Sequence, residues 1–107
     1  MITPTIDDPV LARFRAALDR LYGDRIERVV LFGSRARGDA QPDSDYDIAA
    51  FLWNPGSFWQ EMGPLADIEA QILYDTGAVI SAKPFRAGGW GERTPLIQEI
   101  RREGFDL

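Results

Sequence analysis

Apolar residues recur along this chain first at helical spacing and then in short strand-like runs. The first set follows the dipeptide Asp8-Pro9, a helix-start signal, and ends at Gly23. Its members are Val10, Phe14, Ala17, Leu18 and Leu21. The pattern predicts an amphipathic first helix.

Three short apolar segments that follow the first helix are typical of strands. Two further stretches, one between the last two strands and one after them, are typical of helices. The predicted strands are Arg28 to Phe32, Asp45 to Trp53 and Ala78 to Phe85. The predicted helices are Pro64 to Tyr74, after an interruption near Gly63-Pro64, and Pro95 to Glu103, with Gly77 and Gly104 at their ends.

The connections between these elements indicate the sheet topology. A helix joins strands two and three, so those strands should be parallel, whereas the short link between strands one and two allows an antiparallel pair. We therefore expect an α/β fold, a small mixed sheet with helices packed mainly on one face. Strand one would then end at the same sheet edge at which strands two and three begin. The 107 residues fit a single domain, 1–107.

The amino-acid composition limits which metal ions and which partners the chain could bind. The chain has no His and no Cys, so a metal ion would have to be a hard cation such as Mg²⁺ held by carboxylates. A net charge of −5 argues against direct nucleic-acid binding. The longest apolar run, Ile48 to Trp53, is too short to cross a membrane, and the acidic N-terminus shows no signal peptide. We expect a cytoplasmic protein.

Two acids, Asp45 and Asp47, begin the second predicted strand. Residues two apart on a strand project from the same face, so both carboxylates could bind one or two Mg²⁺ ions. A solvated strand end is the simpler interpretation, because an Asp-x-Asp pair alone is common.

Gly33 and Ser34 follow the first strand directly. The glycine would let the backbone approach a ligand closely, and Ser34 would offer a hydroxyl and an N–H to phosphate. Arg35 and Arg37 add positive charge beside them. Together with the aspartates, these residues would form a triphosphate site. An ordinary strand-to-turn connection is the alternative.

The whole string from Leu31 to Ile48, LFGSRARGDAQPDSDYDI, resembles the signature of the polymerase-β-like nucleotidyltransferase superfamily, and the minimal nucleotidyltransferases in particular. The resemblance implies that Gly33 and Ser34 hold the β- and γ-phosphates of ATP. It also implies that Asp45 and Asp47 bind two Mg²⁺ ions and are the catalytic residues.

One feature departs from the family pattern. Its members typically carry a third carboxylate on a neighbouring strand, but Ala78 to Phe85 contains no acid. Ser81 lies nearest the expected position, and Asp43 or Asp75 are possible substitutes. We therefore expect slow transfer at best, with nucleotide binding better preserved than turnover.

The resemblance also implies a partner. Minimal nucleotidyltransferases are commonly encoded beside a HEPN-domain toxin, which they neutralise as antitoxins by adenylylation, by binding, or both. Two rival functions remain open: inhibition by binding alone, and modification of a small molecule such as an aminoglycoside. Phe51 and Trp53 share the face of the aspartates and would be covered either by a partner or by the last helix. Phe58, Trp59 and Met62 are expected in the core.

Overall fold

A four-stranded mixed sheet organises the chain in a computed structural model that describes residues 8–107. The strands are β1 (Ile26–Phe32), β2 (Tyr46–Leu52), β3 (Ile80–Arg86) and β4 (Phe105–Asp106). Their order across the sheet is β3-β2-β1-β4. β1 is antiparallel to both β2 and β4, whereas β2 and β3 are parallel. The predicted mixed sheet and its strand directions are confirmed.

The helices are α1 (Pro9–Tyr22), α2 (Ser34–Arg37), α3 (Phe58–Thr76) and α4 (Pro95–Glu103). The Asp8 carboxylate accepts hydrogen bonds from the Val10 and Leu11 N–H groups, which satisfies free donors at the start of α1. Thr94 caps α4 in the same way through the Ile97 N–H. The helix-start signals at Asp8-Pro9 and Thr94-Pro95 thus act as local chemistry predicts.

Apolar residues of alternating parity divide the sheet into two packed faces. One face carries Val29, Leu31, Ile48 and Ala50 and packs against the two longer helices, α1 and α3. The other face carries Val30, Phe32, Ala49 and Phe51 and packs against Ile97 and Ile100 of α4. The two longest helices therefore share one face, and α4 covers the face to which Asp47 belongs.

Several elements differ from the sequence-based prediction. α3 begins at Phe58 and runs through Pro64 without a break, because Ser57 and Gln60 form a capping box that starts the helix before the proline. β1 begins at Ile26, two residues earlier than predicted. The two residues of β4 were not predicted, since a segment that short carries no periodic signal.

Two aromatic residues predicted in the core lie at the surface instead. Phe58 is 49% exposed and Trp59 is 80% exposed, because both belong to the first turn of α3, beyond the sheet. Met62 does pack against the core, as predicted. Within residues 8–107, no helix combines the length and the apolar character needed to span a bilayer.

Candidate functional site

Gly33, immediately after β1, lies against the carboxylate of Asp47 on β2. The β1–β2 register pairs Phe32 with Asp47, which brings the two segments together. Gly33 has a φ of 78°, and a Cβ built on it would lie 2.3 Å from Asp47 Oδ2. A side chain at this position would collide with the carboxylate, so the glycine permits the close approach of the loop to the acid.

The loop after Gly33 forms the single turn of α2. Its Ala36 and Arg37 N–H groups both donate to the Gly33 carbonyl oxygen at 3.0 Å. Within residues 8–107, the N–H groups of Ser34 and Arg35 donate to no other residue. Ser34 is half-buried beside Gly33. Of the predicted phosphate-binding pair, Ser34 therefore keeps a free backbone donor, one residue along the chain from the contact between Gly33 and Asp47.

Arg35 is held against the loop by protein partners. Its guanidinium donates to the Ser44 carbonyl oxygen at 2.8 and 3.0 Å and to that of Pro42 at 3.2 Å. It also stacks 4.0 Å over the Tyr46 ring. These contacts tie α2 to the start of β2, so Arg35 shapes the loop. Its predicted contact with phosphate remains a prediction.

Arg37 points to a different neighbour, Glu103 at the end of α4. The two form an ion pair at 3.2 Å, and Arg37 also pairs with Asp39 at 3.3 Å. The Glu103 carboxylate, only 10% exposed, accepts a second hydrogen bond from the Gly33 N–H at 2.9 Å. Sequence patterns did not reveal this contact, because 70 residues separate its partners. α4 is thereby attached to the predicted phosphate loop.

Asp47 occupies a half-buried position on β2, and Asp45 is exposed immediately before the strand. Burial raises the pKa of Asp47, and the negative charges of Asp45 and Glu103 raise it further, whereas Lys83 and Arg37 oppose the shift. A cation bound nearby would therefore stabilise the ionised form of Asp47.

Asp45 and Asp47 fit a divalent metal ion by the nature of their donors. Carboxylate oxygens are ligands that Mg²⁺ prefers, and Mg²⁺ commonly uses only one or two of them together with water and substrate phosphates. Residues 8–107 contain no cluster of three or more acidic, His or Cys side chains arranged around a metal position. The pair would hold a metal ion jointly with the phosphates of a nucleotide.

Ser81, predicted from the sequence to lie nearest the position of the third carboxylate, lies on β3 in direct register with Asp47. The two acids considered as substitutes lie elsewhere. Asp43 is exposed in the turn before β2, in a cavity that Tyr46 and Val79 also line. Asp75 pairs with Arg13 of α1 at 2.5 Å. In the described chain, neither completes the site.

Lys83, the only Lys in the sequence, lies two residues beyond Ser81 on β3, and sequence reasoning had given it no role. It pairs with Ala49, so Lys83 shares the sheet face of Ser81 and Asp47. Strand alternation could have placed it there, because residues 81 and 83 have the same parity.

Comparisons with known proteins bear on the family and the fold of this chain. A family model described as a nucleotidyltransferase domain matches residues 11–83. A protein of Methanocaldococcus jannaschii, provisionally named a protein adenylyltransferase, is 38% identical over 39 residues, which is 36% of this chain and 39% of the relative. The matching part thus spans about two fifths of that relative.

Two solved structures share the fold. One, provisionally described as a minimal nucleotidyltransferase, has a TM-score of 0.59 and 25% identity, with 90% of each chain covered. The other, a toxin–antitoxin crystal structure with AMP-PNP, has a TM-score of 0.58 and 18% identity over 87% of this chain and 68% of that one. With the family model spanning most of the sequence, this chain belongs to the nucleotidyltransferase domain family.

Proposed function

We propose that this chain binds a nucleoside triphosphate together with a divalent metal ion and transfers a nucleotide to a hydroxyl group. The observation that carries the proposal is the contact between Gly33 and Asp47, where a Cβ would lie 2.3 Å from the carboxylate. It supports the proposal because the free N–H groups of Ser34 and Arg35 directly follow the glycine that contacts Asp47. Phosphates and their metal ion need such neighbouring sites.

In the proposed reaction, the acceptor oxygen attacks the α-phosphorus of ATP. The bond from the α-phosphorus to the bridging oxygen breaks, diphosphate leaves, and the hydroxyl proton passes to solvent or to a carboxylate. Mg²⁺, when bound, would neutralise phosphate charge. Ser34 and the loop N–H groups would orient the phosphates, and Asp45 and Asp47 would hold the metal ion.

The acceptor we propose is a hydroxyl of a partner protein, a HEPN-domain toxin, with this chain as its antitoxin. Two findings support this acceptor: the Methanocaldococcus jannaschii relative is named for protein adenylylation, and the neighbour with AMP-PNP is a toxin–antitoxin structure. Inhibition by binding alone is the second candidate, favoured by the neutral Ser81 in register with Asp47.

Intact-mass analysis distinguishes the two candidates. The protein is incubated with Mg²⁺, ATP and the candidate toxin, and the toxin is then weighed. Adenylylation predicts a gain of one AMP per modified hydroxyl, and this gain should disappear with Asp47→Asn. An unmodified toxin that still forms a stable complex would support binding alone. A toxin that is neither modified nor bound would contradict both candidates.

A further inference from the structure

The β3 side of the site carries a positive charge. Lys83 lies on the same sheet face as Asp47 and Ser81, in register with Ala49. The Lys83 side chain is half-buried, and among residues 8–107 it has no ion-pair or hydrogen-bond partner. A Lys side chain commonly packs its methylene groups along the protein and leaves its ammonium free to bind an anion.

The neighbours of Lys83 indicate which kind of ligand its ammonium would bind. Lys83 lies two residues along β3 from Ser81, and Ser81 is in register with Asp47, so the ammonium and the Asp47 carboxylate belong to neighbouring positions of one sheet face. Asp47 is shared with Asp45 and the metal ion in the proposed function, so Lys83 faces the space in which the phosphates would lie. An anionic ligand would satisfy the ammonium there.

The same charge bears on the number of metal ions. Asp45 and Asp47 lie at the start of β2, and the position in register with Asp47 on β3 is the neutral Ser81. A second divalent ion on the β3 side would lie near the Lys83 ammonium without a third carboxylate to hold it. Coulomb repulsion opposes an ion at that place and favours phosphate.

We propose that Lys83 is a phosphate-binding residue of this site, and that its ammonium provides the positive charge on the β3 side that a second metal ion would otherwise provide. The nucleotide would then be bound with one divalent ion, held by Asp45 and Asp47, instead of the two expected from sequence. The inference rests on the proposed function and identifies how the triphosphate is recognised.

Nucleotide affinity tests this inference without requiring turnover. The probe is AMP-PNP with Mg²⁺, titrated calorimetrically into the unchanged protein, Lys83→Met and Lys83→Arg. Loss of a charge-assisted contact should weaken binding by about 10- to 100-fold in Lys83→Met. Lys83→Arg, which keeps the charge, should retain most of the affinity.

Arg86→Met is the matched control. Arg86 is on the same strand, exposed and of opposite parity, so its removal changes net charge equally on the other face. It should leave affinity unchanged. Thermal unfolding of each variant identifies any change that reflects folding, and Lys83→Arg keeps the test decisive if Lys83→Met is unstable.

Metal stoichiometry is the second measurement. Titration with Mn²⁺ in saturating AMP-PNP, followed by electron paramagnetic resonance, should show one bound ion per chain. Two bound ions, or equal affinities for Lys83→Met and Arg86→Met, would overturn the role of Lys83 and leave the proposed function intact. A complete lack of AMP-PNP binding by the unchanged protein would overturn both.

Discussion

At the scale of single residues, the site depends on the close packing of Gly33 and Asp47. The glycine combines a φ of 78° with a carboxylate oxygen 2.3 Å from where its Cβ would be. Backbone strain and steric collision are therefore separate penalties at this position. The other four glycines with a positive φ have nothing within 4 Å of a Cβ and carry only the first penalty: Gly23, Gly38, Gly77 and Gly88.

Gly33→Ala should destabilise the fold by about 1–3 kcal/mol more than Gly77→Ala and should abolish nucleotide binding. Gly77 is the matched control, because its φ is 80° but nothing lies within 4 Å of a Cβ there. Urea unfolding of the two variants measures the difference. Equal unfolding free energies, with nucleotide binding intact, would show that the contact with Asp47 has no such role.

Asp47→Asn should abolish Mg²⁺-dependent nucleotide binding while leaving the metal-free fold as stable as before, or more stable. Burial raises the pKa of Asp47 in the folded protein. A raised folded pKa means that ionisation opposes folding, so stability is lost as pH rises through that pKa. The amide cannot ionise and removes this loss.

Unfolding in metal-free buffer between pH 4 and pH 8 checks the sign. The gap between Asp47→Asn and the unchanged protein should widen in favour of the variant as pH rises. Asp45→Asn, at an exposed position, should lose binding with little change in stability. If the Asp47→Asn protein binds Mg-ATP normally, the two aspartates are only solvated residues at the end of a strand and do not bind a metal ion.

At the scale of elements, the end of α4 supports the loop after β1. Glu103 accepts hydrogen bonds from the Gly33 N–H and from Arg37, although 70 and 66 residues separate it from them in the sequence. Because α4 also packs on Val30 and Phe51, its position and that of the loop are linked.

Glu103→Ala should therefore cost about 1–3 kcal/mol of stability, since it leaves the Gly33 N–H without its charged acceptor. Exchange of the Gly33 amide hydrogen should also become faster. Glu103→Gln, which keeps an acceptor oxygen, should lose less. Arg102→Ala, at an exposed position of the same helix, is the control. Unchanged exchange at Gly33 in Glu103→Ala would contradict the contact.

The pairing of β2 with β3 gives a second prediction for an element. Because Ser81 is in register with Asp47, Ser81→Asp would place a carboxylate beside it on the same face. If transfer is limited by the missing acid, this variant should raise the rate, and general-base help is typically worth about 10²–10⁴-fold. Ser81→Asn supplies the neutral control. A brisk rate in the unchanged protein, insensitive to both variants, would show that no acid is missing.

Sequence patterns predicted the parts of the fold that local chemistry determines. The helix cap at Asp8 and the strand that contains Asp47 follow from residue type and spacing. The break expected at Pro64 was wrong, because the Ser57 capping box starts α3 earlier. Contacts between distant segments, such as Glu103 with Gly33, have no local signature and required the three-dimensional structure.

At the scale of the whole molecule, the two sheet faces have different roles. α1 and α3 bury one face, and α4 covers Phe51 on the other, so the last helix and not a partner accounts for that residue. Trp53, paired with it in the sequence-based expectation, stays 50% exposed beyond α4. The exposed Asp45 precedes β2 at the edge of the sheet where β1 ends and where β2 and β3 begin, and this edge is open.

The central claim is that this open edge holds the triphosphate and its metal ion. The most direct measurement is a crystal structure with AMP-PNP and Mn²⁺, in which anomalous scattering locates the metal. The account predicts a metal peak between Asp45 and Asp47, with phosphate oxygens on the Ser34 side. Phosphates bound elsewhere, or a metal peak away from both aspartates, would contradict it.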